Sequence, residues 1–477
     1  MNPIVAQGKA AGRERTSSAG WALAALSLSM LLASLGTSIA NVALPTLAQA
    51  FAAPFQAVQW IVLAYLLAIT TLIVGAGRLG DVVGRRRLLV AGLILFTAAS
   101  VACGVAPTLW LVVAARTAQG LGAAVMMSLT LAFVGDTVAK DRIGSAMGLL
   151  GTMSAIGTAL GPSLGGVLIA GLGWRAIFFV NLPLGLVALL LARRHLPADR
   201  QSRIEKTGFD ATGTLLLALS LAAYALAMTI GRGRFGAINV ALLSAAVVGA
   251  GLFVRAETRA ASPLVRPAMV RDPVLGAGLA ASALVSTVMM ATLVVGPFHL
   301  ALALSLDAAA TGLVMSAGPV VAALAGVPSG RLVDRFGAPR MAIAGLAGMA
   351  AGAAILAAMP VTLGVFGYVA PLVVLTAGYA LFQAANNTGV MADIGRAERG
   401  VVSGMLNLAR NLGLVTGASV MGAVFALASA TADITAARPA AVATGTRVTF
   451  AVAAVLVVGA LAVAAGGRAR ARQPRAT

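Results

Sequence analysis

Groups able to carry a charge or move a proton are scarce in this chain. Its 477 residues include 14 acidic side chains, two histidines and one cysteine. Asp81 lies in Gly77 to Arg87, GRLGDVVGRRR, a carboxylate among arginines between two long apolar runs. Arg116 and Gln119 sit three residues apart in Leu111 to Ala124, LVVAARTAQGLGAA. A guanidinium in an apolar run is costly unless paired or hydrated, which makes it a functional candidate; the alternative is an arginine snorkelling from near a helix end. His299 follows Pro297 in another apolar run, and its ordinary pKa suits a proton switch, although a lone histidine more often serves as hydrogen-bonded structure. Gln383 to Asn387, QAANN, is the most polar stretch within an apolar run of the second half, and Asn407, Arg410 and Asn411 extend it. Such groups can exchange protons, pair with a charge or hydrogen-bond a solute.

Composition sets the elements that hold them. Hydrophobic residues make up 60% of the chain and charged ones 10%, too few to cover a water-exposed surface, so the chain belongs in a lipid bilayer. A hydrocarbon core of about 30 Å takes roughly 20 apolar residues per helix, and every backbone polar group there must be satisfied internally. Apolar runs then predict fourteen helices, near 20–44, 57–77, 88–106, 109–134, 145–171, 176–192, 211–230, 238–254, 274–300, 308–329, 341–359, 364–391, 400–429 and 448–467. The expected fold class is an all-α polytopic membrane protein. All but seven of the 34 Lys and Arg fall in one set of alternate loops, together with both termini. The other set holds Arg175, Arg232, Arg234, Arg438 and Arg447, while Arg116 and Arg410 lie within spans. The positive-inside rule puts the rich set and both termini in the cytoplasm. The net charge of +20 is therefore topology and not a nucleic-acid surface. No cleavable signal peptide is expected, since the first apolar run is long and many follow. Cys103 rules out an internal disulfide.

The chain repeats itself. GRLGDVVGRRR returns 253 residues later as Gly330 to Arg340, GRLVDRFGAPR, superposing Gly77 on Gly330, Asp81 on Asp334 and Gly84 on Gly337. Gly148, Gly157 and Gly161 superpose on Gly404, Gly413 and Gly417 at an offset of 256. Helices 1–6 thus pair with 9–14, leaving 7 and 8 as an inserted hairpin. The expected organisation is a tail at 1–19, a six-helix bundle at 20–192, a loop at 193–210, the hairpin at 211–254, a loop at 255–273, a second bundle at 274–467 and a basic tail at 468–477. Paired halves suggest alternating access around a site near the bilayer midplane. An enzyme would need a nucleophile with a base, or a metal cluster; His195 and His299 fall on opposite sides of the membrane, and neither arrangement is present. Lys9, Lys140 and Lys206 complete no phosphate-binding loop, which disfavours an ATP-driven pump.

In GRLGDVVGRRRLL, LVVAARTAQGLGAA, GTMSAIGTALGPSLGG (Gly151 to Gly166), WRAIFFVNLPLG (Trp174 to Gly185) and QWIVLAYLL (Gln59 to Leu67) the chain resembles the major facilitator superfamily, specifically its fourteen-helix drug/proton antiporter branch. The resemblance runs along nearly the whole length. It implies multidrug efflux, with no metal or organic cofactor, driven by a proton gradient, by a monomer in the bacterial inner membrane that takes small hydrophobic substrates. It implies a gating role for Gly77, Asp81, Gly84, Arg85 and Arg86, where the carboxylate pairs with basic residues and a helix N-terminus of the other half; Gly330, Asp334 and Gly337 form a weaker second copy. Gly157, Gly161, Pro162, Gly165 and Gly166 match its helix-5 motif, where small residues allow close helix approach. Its cavity is lined by helices 1, 4, 9 and 12, which makes Ser38, Asn41, Arg116, Gln119, Met289, Met290, Gln383, Asn386 and Asn387 candidate lining residues, joined by Asn407, Arg410 and Asn411.

One position departs from the pattern. Members usually carry an acid shortly before a TIVNVALP-like run, whereas this chain reads LGTSIANVALP with Gly36 in its place. All 14 acidic residues then fall in loops or at span ends. Two expectations follow: neutral or anionic substrates are favoured over lipophilic cations, and an acid restored at Gly36 shifts preference towards cations. Proton coupling passes to Asp81, Arg116, Asp136 or His299, or to protonation of the substrate itself.

Overall fold

The structure is a computed structural model. It describes residues 3–137, 143–197, 199, 210–230, 236–260, 272–392, 399–429 and 437–472. Within these, the side chains of 3–19, 74, 78, 81, 82, 131, 134–137, 143–145, 147, 148, 155, 399–401, 403, 404 and 468–472 lie outside the described set. Fourteen helices among the described residues are long and apolar enough to cross a membrane. They are α1 (Gly20–Val42), α2 (Phe55–Ile73), α3 (Arg85–Val105), α4 (Leu109–Thr130), α5 (Leu149–Leu172), α6 (Ala176–His195) and α7 (Ala211–Thr229). Then follow α8 (Ala237–Glu257), α9 (Pro273–Ala303), α10 (Ala308–Phe336), α11 (Ala338–Ala358), α12 (Val361–Met391), α13 (Met405–Ala428) and α14 (Pro439–Gly467). The helix carrying α2 runs on to Val83 and that carrying α4 to Thr137. The last helix starts at Pro439, so Arg447, read from sequence as a loop residue, lies inside it and donates to Met359 O from Nε at 3.3 Å.

In the first half α1 packs on α4, α5 and α6, α2 on α4, and α3 on α4 and α6. In the second, α9 packs on α12, α13 and α14, α10 on α12, and α11 on α12 and α14, the same scheme shifted by eight helices. The halves meet where α5 touches α10 and where α2 touches α13. Helices α7 and α8 pair with each other, and α7 leans on α2. Trp60 Nε1 pins this contact by donating to Thr229 Oγ1 at 3.1 Å.

The repeated motif makes the same local structure twice. Gly84 (φ +105°) and Gly337 (φ +84°) each end one helix and begin the next in a conformation that side chains with a β-carbon rarely adopt. The first turn of the following helix leaves backbone N–H groups unpaired. In the first copy Asp199, from the loop after α6, accepts from Arg86 N at 2.7 Å and Arg87 N at 3.2 Å. Arg86 Nη2 also donates to Arg193 O in the last turn of α6, just before that loop. A β-carbon on Gly84 would lie 2.5 Å from Asp199 Oδ2, so this glycine is needed for space as well as for φ. The offset of 253 carries Arg86 to Pro339, which has no N–H to cap. This is a physical reason for the two sequences to differ after the glycine. Asp199→Ala is expected to cost about 1 kcal/mol, the ordinary worth of an N-cap, read as a lower thermal midpoint of the purified protein. An unchanged midpoint would show that the cap is made equally well by water.

Candidate functional site

The halves seal one face and part at the other. Opposite the motif loops, Leu35, Ile39, Val42 and Phe55 join Val294, Phe298, Val415 and Phe425 in one buried cluster. Phe55 meets the Phe298 ring edge-on at 4.8 Å and that of Phe425 at 5.5 Å. Towards the motif loops one cluster around Leu26, Leu89, Leu129 and Leu150 stays in the first half and one around Leu275, Val390, Met405 and Leu406 in the second, while a small third joins Leu408 of α13 to Leu217 and Leu221 of α7, with Leu67 of α2 against it. The central cleft therefore opens towards the motif loops.

The second half supplies a polar wall. Helix α9 lies between α12 and α13 and packs on both. Gln383, Asn386 and Asn387 recur at i, i+3 and i+4 on α12, and Asn407, Arg410 and Asn411 do the same on α13, so each trio shares one helix face. Asn387 and Arg410 are exposed, Gln383, Asn407 and Asn411 partly so. Asn386 is buried and donates to Gly278 O of α9 at 3.2 Å, while Gln383 donates to the Tyr379 hydroxyl. Asn387 and Arg410 are thus left uncovered by the neighbouring helices.

The first half offers hydroxyls. Ser34 and Ser154 share a hydrogen bond of 2.7 Å between α1 and α5, with partly exposed Thr37 and Thr158 nearby on the same two helices. None of these four was a sequence candidate. Ser34 and Ser154 lie one turn before Ser38 and Gly157, which is the signal that marks them in the sequence.

Several candidates are turned away from the cleft. Ser38 is buried and donates across to Gly157 O at 3.3 Å, serving the α1–α5 contact. That contact is close because a β-carbon on Gly157 would lie 2.5 Å from Leu31 O and one on Gly161 would overlap Ser38 Oγ. Gly165 continues the stripe against Val42 and Ile39, while Gly166 and Pro162 face α10 of the other half. Asn41 is fully buried and spends its amide N–H groups on Thr37 O and Ser38 O of its own helix. Met290 belongs to the seal between the halves, and its neighbour Met289 packs into the second bundle.

Arg116 and Gln119 are also withdrawn, both 0% exposed inside the first bundle. Arg116 Nε donates to Ile61 O at 2.9 Å and Nη1 to Gln119 Oε1 at 2.6 Å, and Gln119 Nε2 donates to Ser100 Oγ at 2.6 Å. The guanidinium carbon stands 4.0 Å from the Tyr65 ring centroid, a cation–π contact. Nη2 has no hydrogen-bond partner among the described residues. The network joins α2, α3 and α4, and among the described residues no carboxylate takes part in it. Gly36 points the same way: a β-carbon there would lie 2.9 Å from Tyr65 Oη and 3.3 Å from the Phe96 ring. The position where an acid was expected to serve the cavity thus faces Tyr65, whose ring face is covered by Arg116. This corrects the reading of Gly36 as a missing counter-ion for substrate.

His299 begins a π-helical turn, His299–Ala303, at the sealed end of α9. Its ring stacks on Tyr368 at 5.7 Å, and it borders a pocket with Arg447, Thr446 and Met359 inside the second bundle. It is not brought together with Arg116 or with the α12 and α13 amides. The side chains of Asp81 and Asp136 lie outside the described residues. Asp334 is exposed in the last turn of α10.

Comparison with known proteins gives this arrangement its kin. The sequence model of the Major Facilitator Superfamily matches residues 26–418. Multidrug resistance protein Stp of Mycobacterium tuberculosis strain H37Rv is 32% identical over 416 residues, covering 85% of this chain and 75% of that protein. Riboflavin transporter RibZ of Clostridioides difficile strain 630 is 27% identical over 399 residues, covering 84% of this chain and 86% of that one. The crystal structure of a bacterial homologue of the human lysosomal transporter Spinster, inward-facing and unoccupied, superposes with a TM-score of 0.70 at 18% identity, covering 96% of this chain and 99% of that one. With fourteen membrane helices in two halves of one packing scheme and a family match over most of its length, the chain is a transporter of the Major Facilitator Superfamily, not an enzyme.

Proposed function

We propose that the chain is a secondary active exporter of small, largely hydrophobic compounds, drugs and antibiotics among them, which moves them by alternating access in exchange for protons. The observation that carries this reading is the cleft itself. One wall is amides and a single guanidinium, the other hydroxyls, and the sealed end is aromatic and aliphatic, a lining that grips apolar solutes with few fixed polar points. The name of the Stp relative supports the substrate class. Arg410 on the wall favours neutral or anionic compounds over lipophilic cations. The protein works as a monomer in the bacterial inner membrane with both termini in the cytoplasm, so the cleft described above is the inward-open form. Candidates for proton transfer are Asp81, Asp136, Arg116 and His299, or the substrate's own titratable group.

Purified protein in proteoliposomes should move substrate when a proton gradient is imposed and slow when a protonophore collapses it. Transport indifferent to any ion gradient would overturn the antiport. A second reading, transport of one specific metabolite, is favoured by the name of the RibZ relative. A substrate screen in an efflux-deficient host separates the two: resistance to several unrelated compounds supports multidrug efflux, and a response to a single metabolite supports the alternative.

A further inference from the structure

The contacts between the halves come in two copies related by the repeat, and the copies differ. On one side Gly166 of α5 meets Gly312 of α10. A β-carbon on Gly166 would lie 2.5 Å from Ala308 O, and one on Gly312 would overlap Pro162 O, so two backbones touch directly. The offset of 256 carries Gly166 to Gly422 on α13, and the offset of 253 carries Gln59 to Gly312. On the other side, then, the same two positions are a glycine and a glutamine. A β-carbon on Gly422 would overlap Gln59 Nε2, so Gly422 makes room for that amide. Gln59 is 2% exposed, and its Nε2 donates at 2.9 Å to Ala418 O across the interface. Ala418 lies in the π-helical turn Gly417–Met421, where the change of hydrogen-bond register leaves a carbonyl for an outside donor.

We propose that Gln59 is the latch of the gate opposite the motif loops. Its amide, seated in the hollow that Gly422 leaves and bonded to the π-turn of α13, holds α2 against α13 while that face is shut, and the bond breaks when the face opens. Its counterpart at the α5–α10 contact is a glycine, so the two symmetry-related contacts part with different ease. The latch rests on the alternating-access reading above.

The test uses the full-length protein in proteoliposomes, with Cys103→Ala to remove the native thiol. Spin labels are placed at Pro107→Cys and Thr362→Cys, exposed positions on that face in opposite halves. Gln59→Leu keeps the volume and removes the donor, and Gly422→Ala keeps the donor and fills its seat. Each should raise the ratio of long to short inter-label distances by about fivefold, the worth of one net hydrogen bond. Two distance populations in the parent protein with an unchanged ratio in both variants would overturn the latch while leaving alternating access standing. A single distance in the parent under every gradient and substrate condition would instead overturn alternating access, and the latch with it.

Discussion

Gly161→Val is expected to abolish accumulation of the folded transporter. A β-carbon there would overlap Ser38 Oγ and lie 2.7 Å from Ser38 Cβ and 2.9 Å from Ile39 N. Two of those obstacles cannot swing away, because one is backbone and the other is fixed to it. Helices α1 and α5 pack along much of their length, with a β-carbon on Gly157 one turn earlier 2.5 Å from Leu31 O, so relief requires the whole contact to open. Overpacking commonly costs about 1–3 kcal/mol where neighbours can relax, and a backbone obstacle along a long helix contact should cost more. That is a large share of the roughly 5–15 kcal/mol that a folded protein has in hand. The measurement is the monodisperse peak after detergent extraction, which should fall below a tenth of the parent's. Gly171, on the same helix with nothing within 4 Å, is the control. Gly171→Ala should raise the thermal midpoint slightly, since alanine is favoured over glycine in a helix by up to about 1 kcal/mol. A well-folded Gly161→Val protein would show that α1 and α5 approach less closely than described.

What the sequence made legible and what it hid divide along one physical line. The spans, their number and the two offsets were legible, because bilayer thickness imposes a length and the repeat preserves glycines at fixed spacing. Gly84 with Gly337 and Gly161 with Gly417 occupy equivalent places in the two halves for that reason. The rotation of each helix about its own axis was not legible. A soluble helix announces its buried face by amphipathicity, but in lipid both faces are apolar and the signal fades. Arg116 therefore read as a cavity residue when it points into its own bundle, and Met289 and Met290 read as a pair when neighbours on a helix diverge by about 100°. Where polar residues recur at helical spacing, as at Gln383, Asn386 and Asn387, the face was legible after all. Contacts between distant segments were beyond reach: nothing local marks Asp199 as the cap for Arg86, or Gln59 as the partner of Ala418.

Gly36→Asp is the second large effect, and it distinguishes the cavity reading of this position from the one given by the structure. The new carboxylate would project towards Tyr65 Oη, whose ring lies against Arg116, and Arg116 Nη2 is buried with no partner among the described residues. A buried cation without a counter-ion carries its desolvation cost uncompensated, and supplying the ion repays part of it if the geometry is good. The steric demand falls on two side chains and not on backbone, Tyr65 Oη at 2.9 Å and the Phe96 ring at 3.3 Å, which must give by a few tenths of an ångström. The outcome expected is a cycle. Gly36→Asp alone should be tolerated, Arg116→Leu alone should cost about 1–3 kcal/mol through the orphaned Gln119 Oε1, and the two together should be strongly destabilised by an unpaired buried carboxylate. Coupling between the sites should reach about 2–3 kcal/mol, at the high end for contacting residues, measured by thermal unfolding of the four proteins. Export of a lipophilic phosphonium cation should not increase in Gly36→Asp, since the charge is neutralised inside the bundle and does not reach the cleft. If cation export rises, and rises equally with or without Arg116, the carboxylate faces the substrate and the placement of Gly36 is wrong. Arg116 would then need another reason for lying charged and buried in a bundle whose described residues supply it with one carbonyl, an amide and an aromatic ring but no acid.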